Sequence, residues 1–261
     1  MPFTVVPADF IAAARAAGGT VHVYSTADVS LGNPERPEEE KRCHSKGVPW
    51  SEAQLRGWAA FQTAGGVQGL NLFNGHHNER DRQTLTAVFG KAECWETGFA
   101  AGDKAFVANN HSFTANMPAV AWPDLPRLPL PLTVGEPASI AIAIPPAALE
   151  APGTMAALHL KFGQITVEDE LAVTLNGRAL ATFGARDSAQ AALAAEPDAP
   201  LAEAIGERVV PVPLDVLEPG ENRVEVTLVH RNPWLRPPLK WKNAEVRLLE
   251  EGRVIPWALT S

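Results

Sequence analysis

The sequence predicts an α/β segment followed by an all-β domain: a partial (β/α) barrel segment, then a jelly-roll-like antiparallel β-sandwich. Residues 1–95 alternate helical patterns with short apolar runs, which favours parallel strands joined by helices. Residues 96–261 hold short alternating runs between turn signals, and these are typical of a sandwich or jelly roll. We therefore place a domain boundary near residue 95 of this 261-residue chain.

The first unit of the α/β segment is predicted to be a helix, a strand and a long polar loop. Residues 8–17 are alanine-rich and end at Gly18-Gly19, as glycine commonly ends helices. A strand is predicted over residues 21–24. The next helix begins at Ser51, a predicted N-cap residue, and Gln54 completes a capping box with it.

The second unit repeats this order. Gly65-Gly66 ends the helix, a strand is predicted over residues 69–73, and another helix is predicted over 81–89. A parallel sheet must be covered on both faces, and two strands cannot provide that cover. We therefore expect this segment to be the end of a larger barrel, or to pack on the second domain or on another chain.

Polar residues follow both predicted strands at the edge where (β/α) barrels bind ligands. Asn74, His76 and His77 follow the second strand, and we predict that at least one of them contacts a sugar or another ligand. The alternative is a polar loop whose histidines bond to local backbone. Asp28, after the first strand, is the candidate catalytic carboxylate, unless it only caps a turn. The spacing of His76, His77 and Glu79 matches no established metal motif, and we predict no metal and no cofactor.

The second domain is predicted to contain strands over residues 104–107, 139–144, 155–162, 171–175, 178–183, 208–212, 223–230 and 244–249. Asn176-Gly177 is a hairpin turn signal. The last strand is predicted to pair with strand 223–230. Between these two strands, residues 234–241 are predicted to form an exposed loop. In this loop Trp234 and Trp241 could stack on sugar rings, the alternative being packing at sheet edges.

Two motifs in the second domain resemble the galactose-binding-like β-sandwiches that are attached to many glycoside hydrolases. They are Val-Thr-Leu-Asn-Gly-Arg at residues 173–178 and Pro-Leu-Asp-Val-Leu-Glu-Pro-Gly-Glu-Asn-Arg-Val-Glu-Val at 213–226. In those domains the second motif leads into a strand of the other sheet. The stretch Ala-Gly-Gly-Val-Gln-Gly-Leu-Asn-Leu-Phe-Asn at 64–74 looks like the last barrel strand of glycoside-hydrolase-like proteins.

This resemblance implies that the chain is the C-terminal portion of such a protein and that its ligand is a carbohydrate. Glycoside hydrolysis normally needs two carboxyl groups, and in related barrels the acid/base follows a strand that is expected to precede this sequence. We therefore expect no hydrolysis by this chain alone. The alternatives are a non-catalytic module that binds carbohydrate or protein, and a self-associating chain whose copies complete the sheet.

Composition excludes several other functions. The net charge is −8 and the pI is near 5.4, which argues against a nucleic-acid partner. No apolar run approaches the roughly 20 residues that span a membrane. The start of the sequence resembles no signal peptide, so we expect a cytoplasmic protein if this N-terminus is native. Cys43 and Cys94 are predicted to be free thiols rather than a disulfide.

Overall fold

The computed structural model describes residues 7–18, 22–28, 30–31, 48–49, 51–73, 79–89, 102–108, 128–150, 155–166, 168–183 and 205–250. Its helices are α1 (Pro7–Ala16), α2 (Glu52–Ala64), α3 (Glu79–Phe89) and α4 (Pro146–Leu149). Its strands are β1 (Tyr24–Asp28), β2 (Ser30–Leu31), β3 (Val48–Pro49), β4 (Gly69–Phe73), β5 (Lys104–Val107), β6 (Leu130–Pro131), β7 (Pro137–Ile144), β8 (Met155–Gly163), β9 (Glu170–Leu175), β10 (Arg178–Phe183), β11 (Ile205–Val212), β12 (Gly220–His230) and β13 (Lys240–Leu249). The fold of these residues is mixed and rich in antiparallel strands.

The predicted parallel pairing in the first segment is confirmed. Strand β1 pairs in parallel with β4, from Tyr24 opposite Gly69 to Asp28 opposite Phe73. The position of β4 agrees with its predicted range, whereas β1 begins three residues later than residue 21. Asp28 is therefore the last residue of its strand rather than part of the following loop.

Helix α2 has the predicted capping box. The Ser51 hydroxyl accepts a hydrogen bond from the Gln54 backbone N–H at 3.2 Å, and the Gln54 side-chain oxygen accepts one from the Ser51 N–H at 3.0 Å. The helix ends at Ala64, directly before the predicted stop at Gly65-Gly66. Gly66 has a φ of +90°, a backbone conformation that glycine adopts without steric cost.

The second part of the chain forms two antiparallel sheets. The first sheet has the order β10-β9-β12-β7, and the second has the order β11-β8-β13-β5 with β6 added beside β13. Alternate residues are buried in β7, β9 and β12, whereas β8 and β13 are buried on both faces. Buried apolar residues of both sheets form one hydrophobic cluster. Its members include Phe106, Ile140, Ile142, Leu158, Leu160, Phe162, Leu171, Val173, Leu175, Val224, Val226 and Val246.

Two predicted strand arrangements are wrong. Strand β13 pairs with β8 and β5 in the second sheet, and not with β12. The connection from His230 to Lys240 is too long for a tight hairpin, and it carries the chain from one sheet to the other. Strands β9 and β12, which carry the two resemblance motifs, are antiparallel neighbours in one sheet rather than members of different sheets.

Two asparagines connect those motifs. Asn222 is fully buried, and its side-chain oxygen accepts hydrogen bonds from the Glu218 N–H at 2.8 Å and from Asn176 Nδ2 at 2.9 Å. Its Nδ2 donates to the carbonyls of Glu218 and Gly220. Asn176 also accepts from the Arg223 N–H at 2.8 Å. The two turns are thus held together by side-chain amides, which accounts for an Asn in each motif.

We expect Asn222→Ala to lower the free energy of unfolding by about 2–3 kcal/mol, because it leaves buried donors and acceptors unpaired. Urea denaturation followed by circular dichroism measures this change. The matched control is Glu221→Ala, since the neighbouring Glu221 is exposed and should tolerate the substitution. A change in Asn222→Ala no larger than in this control would show that the amide network does not stabilise the fold.

Helix α2 packs directly on the second sheet. A Cβ atom added at Gly57 would lie 2.1 Å from the carbonyl oxygen of Ala105 in β5. Leu55, Trp58 and Ala59 are buried and belong to the same hydrophobic cluster as residues of the two antiparallel sheets. This contact agrees with the alternative in which the first segment packs on the second domain.

Candidate functional site

The candidate ligand-binding site is the connection from Arg231 to Leu239, which joins the two antiparallel sheets. Its most prominent residue is Trp234, whose relative exposure of 86% is the highest among the exposed large hydrophobic residues that the structure describes. A single exposed indole ring is not by itself evidence of a binding site. The backbone around Trp234, however, is fixed by hydrogen bonds on both sides of this residue.

An ion pair fixes the start of the connection. Arg231 directly follows β12, and its guanidinium donates to Asp169 Oδ2 at 2.5 Å. The Asp169 side chain is fully buried, so water competes little for this pair. Arg231 also donates to the carbonyls of Gln164 at 2.8 Å and Pro237 at 2.9 Å. One guanidinium thus joins the turn before β9 to the far side of the Trp234 loop.

Asn232 fixes the backbone of the loop itself. Its N–H donates to Asp169 Oδ1 at 2.8 Å, and its side-chain oxygen accepts from the Trp234 N–H at 2.9 Å. Its carbonyl accepts from the Leu235 N–H at 3.2 Å. An asparagine that bonds the backbone two residues ahead forms a turn of its own. The backbone of Trp234 is therefore held from two sides while its side chain points into solvent.

The expected exposure of the whole segment from Trp234 to Trp241 is wrong at Trp241. That side chain is completely buried, and its Nε1 donates to the Asn243 carbonyl at 3.1 Å. Trp241 belongs to β13 and lies opposite Leu130 and Phe162 in the second sheet, where a register shift follows it. An indole in this position packs the core, which is the alternative that the sequence left open.

Of the candidate residues predicted at the strand ends, the structure describes only Asp28. Asp28 and Phe73 are direct partners at the C-terminal ends of β1 and β4. Asn74, His76 and His77 fall outside the residues that the structure describes. The predictions of ligand contacts for these three residues, and of catalysis for Asp28, stay predictions.

The described part of the chain contains no cluster of three or more His, Cys, Asp or Glu residues that could hold a metal ion. Within the same residues, no helix is both long and apolar enough to cross a membrane.

No protein-family model and no curated protein matches the chain. Partial matches exist among solved structures. A β-porphyranase of glycoside hydrolase family 86 from the human gut bacterium Bacteroides plebeius is 14% identical with a TM-score of 0.34, covering 57% of this chain and 20% of that one. The family 86 protein BuGH86, solved in complex with neoagarooctaose, is 11% identical with a TM-score of 0.35 and covers 57% and 19%. Dimeric latent PorU from Porphyromonas gingivalis is 8% identical with a TM-score of 0.31 and covers 57% and 13%.

This chain therefore spans about a fifth of the length of the family 86 hydrolases that it matches. At such identities a likeness concerns the fold alone, and at such TM-scores we draw no functional argument from it.

Sequence reasoning correctly predicted that Trp234 is exposed but missed the residues that hold its backbone. Arg231 and Asn232 follow an alternating strand and look like ordinary polar loop residues, and Asp169 is separated from both by more than 60 positions. Asp169 does carry a local signal, because Thr166 and Asp169 lie three residues apart and the Thr166 N–H donates to the carboxylate at 2.7 Å. That pattern predicts a turn, but its long-range partner only appears in the fold.

Proposed function

We propose that this chain is part of a carbohydrate-active protein and that its β-sandwich binds a glycan at Trp234. The observation that carries the proposal is an indole ring that is almost fully exposed on a loop whose backbone is fixed by Arg231, Asp169 and Asn232. A ring face in this setting suits the apolar C–H face of a sugar, because aromatic side chains combine a large apolar area with a polar N–H.

The fixed backbone of the loop favours ligand binding, and so does the exposure of the ring. A ligand that orders a mobile loop loses affinity to the entropy of ordering, whereas a loop already held in place avoids that cost. The Asp169 carboxylate, which is fully buried, anchors both Arg231 and Asn232 and so limits the movement of the loop. Arg236 is also exposed and lies two residues beyond Trp234, where its N–H groups are available to sugar hydroxyls.

We also propose that the first segment forms the rim of a partial (β/α) barrel and contacts the glycan there. Its support is the parallel pairing of β1 and β4, which brings Asp28 beside the residue that precedes Asn74. In this arrangement Asn74, His76 and His77 would contact the glycan, and Asp28 would supply one of the two carboxyl groups that hydrolysis needs. We therefore propose glycan binding, rather than hydrolysis, as the activity to test first.

We expect Trp234→Ala to weaken glycan binding by about tenfold or more, which corresponds to about 1.4 kcal/mol of lost stacking. The melting temperature should stay within about 2 °C of the parent, because the ring buries almost no surface. A glycan array on the purified chain identifies the ligand, and calorimetric titration of that ligand measures the affinity of each variant.

The matched control is Leu214→Ala, which removes another exposed apolar side chain from a different turn and should leave glycan affinity unchanged. Trp234→Phe keeps an aromatic face and should retain part of the affinity. Equal glycan affinities of the parent and Trp234→Ala would show that Trp234 is not part of the binding site. Failure of the chain to bind any glycan at millimolar concentration would reject the carbohydrate proposal itself.

A further inference from the structure

His159 lies at the centre of a charged cluster on the face of the second sheet that helix α2 covers. It belongs to β8, where its direct neighbours are Glu245 of β13 and Val209 of β11. The residue is 5% exposed. Its Nδ1 is 3.1 Å from Glu245 Oε1, and its Nε2 is 3.2 Å from Glu207 Oε2. A carboxylate oxygen therefore faces each nitrogen of a buried imidazole.

The other charged groups that face this imidazole come from the same sheet. Arg247 Nε donates to Glu245 Oε1 at 2.5 Å, and a terminal nitrogen of Arg247 is 2.9 Å from His159 Nδ1. Lys161 Nζ is 2.7 Å from Glu207 Oε1. On the far side of β13, strand β5 places only the apolar residues Val107 and Ala105 opposite Glu245 and Arg247.

Helix α2 joins this cluster through a neutral side chain. Gln54 Nε2 donates to Glu245 Oε2 at 2.8 Å, while the other end of the same amide completes the capping box with Ser51. The buried Glu245 carboxylate thus gives one oxygen to α2 and the other to His159 and Arg247. Any change in the donors of Glu245 acts on the carboxylate that holds the start of α2.

We propose that His159 is a buried imidazolium that locks helix α2 onto the second sheet through Glu245, and that the lock weakens when the imidazole loses its proton. Only the imidazolium carries an N–H on both ring nitrogens, so only that form donates to both Glu207 and Glu245. A neutral ring donates to one carboxylate and presents a lone pair to the other. The opposing arrangement is a neutral ring whose Nδ1 accepts from Arg247, and it predicts no such pH response.

The titration of the three groups gives the direction of the effect. Burial lowers the pKa of His159, but hydrogen bonds to Glu207 and Glu245 outweigh it and hold that pKa above the ordinary 6.5. The hydrogen bond from His159, together with the hydrogen bond and charge of Lys161, lowers the pKa of Glu207 to about 2. Burial alone would raise the pKa of Glu245, yet hydrogen bonding to His159 and the charge of Arg247 keep it well below its usual range.

A raised histidine pKa adds stability that is complete below pH 6.5 and is lost as the pH rises through the folded-state value. The two depressed carboxyl pKa values add stability that is present above the ordinary 4.5 and is lost as the pH falls. The lock is therefore strongest between those limits, in mildly acidic solution, and it loosens on the alkaline side.

The test is a titration of the full chain by NMR between about pH 5.5 and pH 8, the range in which a histidine near its ordinary pKa changes charge. Imidazole nitrogen shifts give the pKa and protonation of His159. Amide hydrogen exchange, corrected for intrinsic rates, gives the protection of α2. We expect a His159 pKa above 6.5 and a fall in α2 protection of up to about tenfold for each unit of that elevation. Amides of β12, in the other sheet, should keep their protection.

The variant Gln54→Met removes the connection to the helix without adding a charge. It deletes the N–H that Glu245 accepts, so α2 should be less protected at about pH 5.5 and no longer respond to the titration of His159. Because it also deletes the capping box, Ser51→Ala is its control, since that variant loses the box but keeps the Gln54 amide and should still respond. A His159 pKa at or below 6.5 would overturn the proposal. A raised pKa with unchanged α2 protection would overturn it equally, since the imidazolium would then not reach the helix.

Discussion

Gly57→Ala is expected to displace helix α2 from the second sheet and to lower the free energy of unfolding by about 3 kcal/mol, at the upper end for overpacked sites. The added Cβ would lie 2.1 Å from the Ala105 carbonyl oxygen and 2.7 Å from its carbonyl carbon, so backbone must move. Alanine favours helices over glycine by about 1 kcal/mol, which the clash has to overcome. Urea denaturation monitored by tryptophan fluorescence measures the change, since the buried Trp58 adjoins the site.

The reciprocal substitution Ala53→Gly is the matched control on the same helix. It costs helix propensity of up to about 1 kcal/mol but leaves the approach of Gly57 to Ala105 unaltered. The near-ultraviolet circular dichroism of Trp58 should therefore change in Gly57→Ala and not in Ala53→Gly. A Gly57→Ala protein as stable as the parent would show that α2 does not pack closely on β5.

The sequence was sufficient for features that are set by near neighbours. The capping box of Ser51 and Gln54 depends on residues three positions apart, and the turn at Asn176-Gly177 depends on two adjacent residues with positive φ. Strands β4 and β5 are found at the predicted positions because their apolar runs are bounded by glycine or polar residues. In these cases the local pattern and the fold impose the same conformation.

The sequence was not sufficient where a distant element decides the outcome. Glu245 lies in β13 between the buried apolar residues Ala244 and Val246, and its local sequence gives no sign that α2 covers it. The fold places Gln54 of α2 against its carboxylate and leaves Glu245 1% exposed. The order of strands in the two sheets also depends on distant residues. Several alternating runs satisfy the strand pattern, and only the packing between them selects which strands pair.

The candidate site also combines features set by near neighbours with features set by distant residues. The exposure of Trp234 follows from its loop context, whereas its rigidity depends on Asp169, a residue from another turn. Trp241 shows the opposite case, since the same proline- and cation-rich context surrounds an indole that β13 carries into the core. Loop composition therefore does not predict whether an aromatic side chain points into solvent or into the core.

Glu245→Ala is expected to lower the free energy of unfolding by about 3–5 kcal/mol, the range for a buried ion pair that loses one partner. His159 and Arg247 would keep their positive charges close together without the carboxylate that now lies between them. Gln54 would lose its acceptor as well. Chemical denaturation near pH 6 measures the loss, and the His159 pKa should fall in the same variant because the carboxylate that favours its charged form has gone.

A glutamate in the first antiparallel sheet provides the control. Glu225 of β12 pairs with Arg223 at 2.9 Å across the same two-residue spacing, but Arg223 is largely exposed. Glu225→Ala should therefore cost only about 0–1 kcal/mol, as solvent-exposed ion pairs usually do. Similar losses in the two variants would mean that burial under α2 adds nothing to the Glu245 pair.

The cost of Glu245→Ala has two possible sources: uncompensated buried charge and the space left by the side chain. The combined variant Glu245→Leu, Arg247→Met and His159→Leu separates them, because it fills the space and removes the charges of these three residues together. If charge is the source, this variant should recover most of the lost stability, since apolar residues of similar volume often replace a buried ion pair at little cost. The charged cluster would then contribute a pH-dependent attachment of α2 rather than stability that apolar packing could not provide.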